Sequence, residues 1–84
     1  MSLAEELRRF IVSELLFGHE TIAIVDDTDL FGQGLIDSLG LMRLVGHLEE
    51  QYRLSITDDD LVPDNFETIA RLTEFVERKG RGHR

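Results

Sequence analysis

Leu3, Leu7, Phe10, Ile11 and Leu15 recur at helical spacing, with Glu5, Glu6, Arg8 and Arg9 between them. That spacing predicts an amphipathic helix over residues 3–16. Ser2 is placed to cap it, Glu5 three residues on completes a capping box, and Gly18 ends it. The pattern then breaks. Ile22, Ile24 and Val25 are β-branched, and Asp26, Asp27, Thr28 and Asp29 bring turn chemistry. A strand over residues 22–25 would have no second strand to pair with and could not satisfy its backbone. Residues 17–36 are therefore expected to form a long ordered loop pinned by Ile24, Leu30, Phe31 and Leu35. A loop of this length is uncommon unless it has a function.

Helical periodicity returns over residues 38–52, where Leu41, Leu44, Val45, Leu48 and Tyr52 form a buried stripe. Asp37 and Ser38 stand at its start, where a cap and a negative charge are both favoured. Leu54 and Ile56 follow as apolar anchors. Thr57 with Asp60 reads as a capping box opening a short helical turn, which Pro63 stops. Thr68 caps a last helix carrying Ile69, Leu72, Phe75 and Val76, and Phe66 plugs the core just before it. The expected fold is all-α: a four-helix bundle of three main helices plus one short helix, with a long first loop. There is no repeat and no second domain. Residues 1–79 form the domain, and residues 80–84 a flexible basic tail.

At 84 residues the chain is one domain that hides only about 60% of its unfolded surface. Hydrophobic residues at 42% and charged residues at 31% are a globular balance, not a disordered one. The absence of cysteine excludes a disulfide framework and a thiolate zinc site. The net charge of −8 is uneven: residues 20–67 hold twelve acids and two bases, and residues 68–84 hold two acids and five bases. An acidic middle repels phosphate backbones, so no nucleic-acid partner is expected, and the same field steers the chain toward basic protein surfaces. No apolar run is long enough to span a bilayer, and Glu5 and Glu6 stand where a signal peptide wants bases. A cytoplasmic monomer that does not engage membranes is expected.

Two catalytic or metal readings fail on spacing. The acid-rich stretch from Asp27 to Gly32 invites a calcium loop, but Phe31 stands where an oxygen ligand is needed and Ser38 where the pattern needs a glutamate. Ser38 has Gly40 after it but Ile36 where a nucleophile elbow needs the other glycine. His47 lies about two and a half turns further along the same helix, out of reach. His83 is in the tail and His19 has no partner to orient it, so no triad forms and no catalytic residue is assigned. The histidines also lack a metal-binding spacing.

Composition alone reads Ser38 as a helix N-cap, whose loss on Ser38→Ala costs about 1 kcal/mol. Its neighbourhood adds more. A hydroxyl at the mouth of a helix faces free N–H groups and the positive end of the dipole, which suit a phosphate ester. Gly32 and Gly34 leave room for another protein to approach, and Leu39 and Met42 are in excess of the inward stripe.

The stretch Asp29-Leu30-Phe31, then Gly34-Leu35-Ile36-Asp37-Ser38-Leu39, then Leu48-Glu49-Glu50-Gln51-Tyr52, resembles the acyl and peptidyl carrier proteins. Ile56, Pro63-Asp64-Asn65-Phe66, Thr68-Ile69, Leu72 and Phe75-Val76 follow the same pattern, so the match spans residues 3–78. The resemblance implies a bundle whose Ser38 carries a covalent 4′-phosphopantetheine arm, transferred from coenzyme A by a magnesium-dependent phosphopantetheinyl transferase that Asp37 helps to engage. It implies a carrier, not an enzyme: an acyl or aminoacyl ligase loads the arm as a thioester, and a downstream synthase or transferase takes the cargo. Partners would dock along the second main helix, on Leu39, Met42, Arg43, Glu49 and Glu50. Residues 40–47 hold no acid, and Arg43 is basic. A surface of Arg and Lys, as a fatty-acid partner would present, meets less complementary charge here. The sequence looks more like free-standing carriers of amino acids or specialised acyl groups. The alternative is a non-enzymatic helical interaction module with no prosthetic group, in which Leu39 and Met42 bind a partner directly.

Overall fold

Four helices carry the chain: α1 (Leu3–Phe10), α2 (Ser38–Tyr52), α3 (Pro63–Phe66) and α4 (Ile69–Gly82). The structure, a computed structural model, describes residues 2–15, 24–32 and 34–82. No strand occurs among them, and the all-α expectation holds.

The capping box of α1 forms as its sequence requires. Ser2 Oγ accepts from the Glu5 N–H at 3.2 Å, and Glu5 Oε1 accepts from the Ser2 N–H at 3.0 Å. Those bonds hold the Glu5 carboxyl below its ordinary range. The α-helix ends earlier than its apolar spacing predicts. From Ile11 to Leu15 the chain widens into a single π-helical turn, where β-branched Ile11 and Val12 and then Ser13 are weak α-formers. The expected stop at Gly18 and the first part of the long loop lie outside the described residues.

α2 has the predicted bounds, ended by Arg53 in the left-handed region at φ 57°. The short helical segment divides in two. Asp58–Asp60 is a 3₁₀ turn boxed by Thr57 and Asp60. Pro63, expected to stop a helix, instead opens α3 at its first position. There the fixed φ of proline suits the helix and its missing N–H is not needed. Thr68 Oγ1 accepts from the Arg71 N–H at 3.0 Å and so caps α4. α4 runs through Gly80 to Gly82, and the remaining two residues of the expected tail lie outside the described residues.

α4 is the spine: α1, α2 and α3 all pack on it. Leu7 and Ile11, Leu44 and Leu48, and Ile69, Leu72 and Phe75 are wholly buried or nearly so. Phe66 plugs the core as expected, its ring centroid 5.1 Å from that of Phe75. The described part of the loop is ordered by backbone bonds to the segment that leads into α4. The Leu30 N–H donates to the Glu67 carbonyl at 2.8 Å, and the Ala70 N–H donates to the Asp26 carbonyl at 3.0 Å. Ile24 and Leu30 are buried, and Phe31 and Leu35 are partly so. A last bond, from the Ile36 N–H to the Leu30 carbonyl at 2.9 Å, closes the loop immediately before α2.

Candidate functional site

That closure fixes where α2 begins. Ile36 is buried, which leaves Asp37 extended at φ −100°, ψ −172° and makes it the N-cap. Its Oδ1 accepts from the Gly40 N–H at 2.8 Å. Gly40 has little room for a side chain: a Cβ there would lie 2.9 Å from Ile36 Cγ2. Ser38 is thus the first helical residue and not the cap, which corrects the reading of its hydroxyl as a capping group. The sequence offers two capable side chains in succession, and the buried Ile36 decides between them. Ser38 is exposed, and its hydroxyl has no hydrogen-bond partner among the described residues.

The result is a primary alcohol with no partner among the described residues at a helix N-terminus, between a hydrogen-bonded loop segment on one side and a capped helix on the other. The N–H groups of Ser38 and Leu39 are not needed by the first turn of the helix, and the dipole there favours an anionic ester. A phosphodiester on this oxygen fits the donor set.

Around it, Leu39 is 70% exposed and Met42 57%, so the predicted surplus apolar pair does face solvent. Arg43 is exposed and within 3.9 Å of the Glu14 carboxylate. Glu50 is exposed, whereas Glu49 is turned to structural use, its Oε2 accepting from the Ile56 N–H at 3.1 Å. Gly34 takes φ +73° in the turn closed by its N–H to the Phe31 carbonyl. Gly32 does not leave open space: the Asp29 carboxylate accepts from the Phe31 and Gly32 N–H groups and occupies the volume a Cβ would need. Beside α2, one turn on from Ser38, Leu41 joins Phe31, Leu61 and Phe66 in lining a groove of about 330 Å³.

The sequence reading missed one cluster on the far side of α2. His47 stacks on Phe10 of α1 with centroids 3.7 Å apart and meets the edge of Tyr52 at 6.2 Å. Burial pushes its pKa below the ordinary histidine value, against the pull of Glu50 and Glu14. Tyr52 donates to Glu6 at 2.9 Å, and burial together with that carboxylate raises its pKa to about 12. No spacing rule joins positions 10 and 47. His19 and His83 lie outside the described residues.

Residues 3–76 match the family described as the phosphopantetheine attachment site. The chain belongs to that family. It is a phosphopantetheine carrier, holding 4′-phosphopantetheine covalently and not catalytic itself. The carrier is also similar to proteins named D-alanyl carrier protein from Streptococcus pyogenes serotypes M5 (strain Manfredo), M49 (strain NZ131) and M1. Each is 29% identical over 58 residues, which cover 69% of this chain and 73% of the relative. Membership sets aside the reading as an interaction module without a prosthetic group. In general terms a carrier of this family implies a phosphopantetheinyl transferase and enzymes that load and unload it. No helix among the described residues is long and apolar enough to cross a membrane.

Proposed function

We propose that the arm is attached at Ser38 and that the carrier delivers acyl or aminoacyl thioesters between enzymes of a biosynthetic pathway. The observation that carries this is the exposed Ser38 hydroxyl, which has no hydrogen-bond partner among the described residues because Asp37 takes the cap. In loading, Ser38 Oγ forms a bond to the phosphorus of coenzyme A next to the pantetheine. The pyrophosphate bond breaks, adenosine 3′,5′-bisphosphate leaves, and the serine proton passes to a base on the transferase. No base among the described residues is hydrogen-bonded to that hydroxyl. The missing cysteine is consistent with the reading, because the thiol arrives on the arm.

The name of the relatives favours an aminoacyl cargo as the first to test. Residues 40–47 support the same choice, since they show no acid to a basic partner. Leu39, Met42, Arg43 and Glu50 form the docking face, with Glu49 at its structural edge, and Asp37 serves both cap and transferase. We place the protein in the cytoplasm, as a monomer, with no nucleic acid or membrane among its partners.

The test is intact mass after incubation with coenzyme A, magnesium and a broad-specificity phosphopantetheinyl transferase, with Ser38→Ala alongside. Wild type gains one phosphopantetheinyl group and Ser38→Ala none. A loaded Ser38→Ala protein would show the site to be elsewhere.

A further inference from the structure

Gly46 is a glycine that the fold does not need. A Cβ there meets no atom within 4 Å, and its backbone is not left-handed. Gly32, Gly34 and Gly40 are each explained locally, by the Asp29 carboxylate, a positive φ and the side chain of Ile36. Gly80 also faces open space, but it stands in the last turn of α4, where glycine commonly accompanies the end of a helix. Gly46 stands in the middle of α2, where only proline is less favourable. Bare backbone at such a place is useful where another molecule must come close.

Its position supplies the second observation. At about 100° per residue, Gly46 lies within about 40° of Leu39 and Met42 around the helix and about 160° from Leu44 and Leu48. It is therefore at the centre of the outward face, on the line that starts beside Ser38. Before it stand two exposed apolar side chains, and beyond it stand the carboxylates of Glu49 and Glu50.

We propose that Gly46 is a notch that receives a bulky apolar side chain of the phosphopantetheinyl transferase, and so sets which enzymes dock on α2. The inference rests on Ser38 as the attachment site. The transferase must bring coenzyme A to that hydroxyl, and exposed Leu39 and Met42 lead from Ser38 to Gly46, with Arg43 on their flank. The knob that fits is apolar where it meets Met42 and the bare backbone. A basic group next to it complements the exposed Glu50 carboxylate.

The experiment measures steady-state loading kinetics with coenzyme A, magnesium and a broad-specificity phosphopantetheinyl transferase, and thermal unfolding of each protein. Gly46→Ala, Gly46→Leu, Ser38→Ala and Glu74→Leu are compared with wild type; the last adds bulk on the exposed side of α4. Gly46→Ala is expected to melt about 4 °C higher, as a better helix former in an open position. Its KM for loading rises about threefold, and that of Gly46→Leu about tenfold or more, because the notch is filled. Both keep a kcat near that of wild type, and Glu74→Leu keeps its KM. Wild-type or lower KM in both Gly46 variants overturns the proposal. So does a melting point of Gly46→Leu below wild type, which would mean that the fold requires the glycine. Loading of Ser38→Ala, or none of wild type, overturns instead the attachment reading beneath it.

Discussion

Removing the Ser38 hydroxyl should leave the fold almost untouched, while removing the carboxylate next to it should not. Ser38 is the first residue of α2, and its side chain makes no hydrogen bond among the described residues. Alanine is the better helix former there, so Ser38→Ala is expected to change stability by no more than about 0.5 kcal/mol. Asp37 Oδ1 holds the Gly40 N–H at 2.8 Å. Asp37→Ala loses that cap, at about 1 kcal/mol, together with a carboxylate on the positive end of the helix, at about 0.3–1 kcal/mol. Together these amount to about 1–2 kcal/mol, a large part of the stability of a domain this small. For a chain of this length the melting point should fall by roughly 5–15 °C. Asp37→Asn keeps the cap, because asparagine caps as well as aspartate, and loses only the charge. Thermal and urea unfolding followed by circular dichroism measure all three, and intact mass measures loading. A Ser38→Ala protein as destabilised as Asp37→Ala would refute the assignment of the cap. A folded Asp37→Asn protein that loads at the wild-type rate would reduce Asp37 to a capping residue with no part in engaging the transferase.

Further outcomes can be checked by the same unfolding measurements. Asp60 accepts from the Thr57 N–H and hydroxyl and from Lys79 Nζ at 2.7 Å, so Asp60→Ala should cost about 1–2 kcal/mol while Asp58→Ala and Asp59→Ala stay within about 0.5 kcal/mol. Lys79 and Thr57 hold the Asp60 carboxyl below its ordinary value; its contribution is then complete above the unfolded value of about 4 and fades as pH falls further, so the gap between wild type and Asp60→Ala should narrow below about pH 4. His47 has the opposite chemistry: burial disfavours its charged form, so stability is complete above the unfolded value of about 6.5 and declines as pH falls through it, and His47→Gln should flatten that decline. Gly34→Ala has open space but must adopt φ +73°, and a loss of about 1–2 kcal/mol is expected; no loss would mean that the turn relaxes.

What the sequence revealed well is chemistry that acts over three or four residues. The Ser2–Glu5 box, the Thr68 cap and the bounds of α2 are each decided by neighbours in the chain, and each is found in the structure. The serine at the head of a helix was legible for the same reason. Its freedom was not, because the choice between Asp37 and Ser38 as cap is made by burial of Ile36, a matter of tertiary packing. Pro63 is ambiguous by nature: the property that stops one helix starts the next. The π turn at Ile11–Leu15 replaces the last turns expected of the first helix without disturbing its apolar pattern. The stack of His47 on Phe10 joins residues that only the packing of the first helix beside α2 brings together. Glu49, counted with the docking face, is drawn back to the Ile56 N–H by the turn that follows α2.

The two hydrogen bonds that tie the loop to the start of α4 join residue 30 to 67 and residue 26 to 70, separations of 37 and 44 residues. The segment that leads into Ser38 is therefore anchored by parts of the protein made well after it. On the ribosome, a growing chain would hold the serine on an unanchored tether until residues 67–70 had emerged, since long-range closures form only when both ends exist. Loading of the serine at a fixed helix mouth would then wait until residues 67–70 had emerged. Ribosome-stalled chains that keep residues 67–70 inside the exit tunnel, or are extended far enough to expose them, offered to the transferase, would show this as a step in labelling.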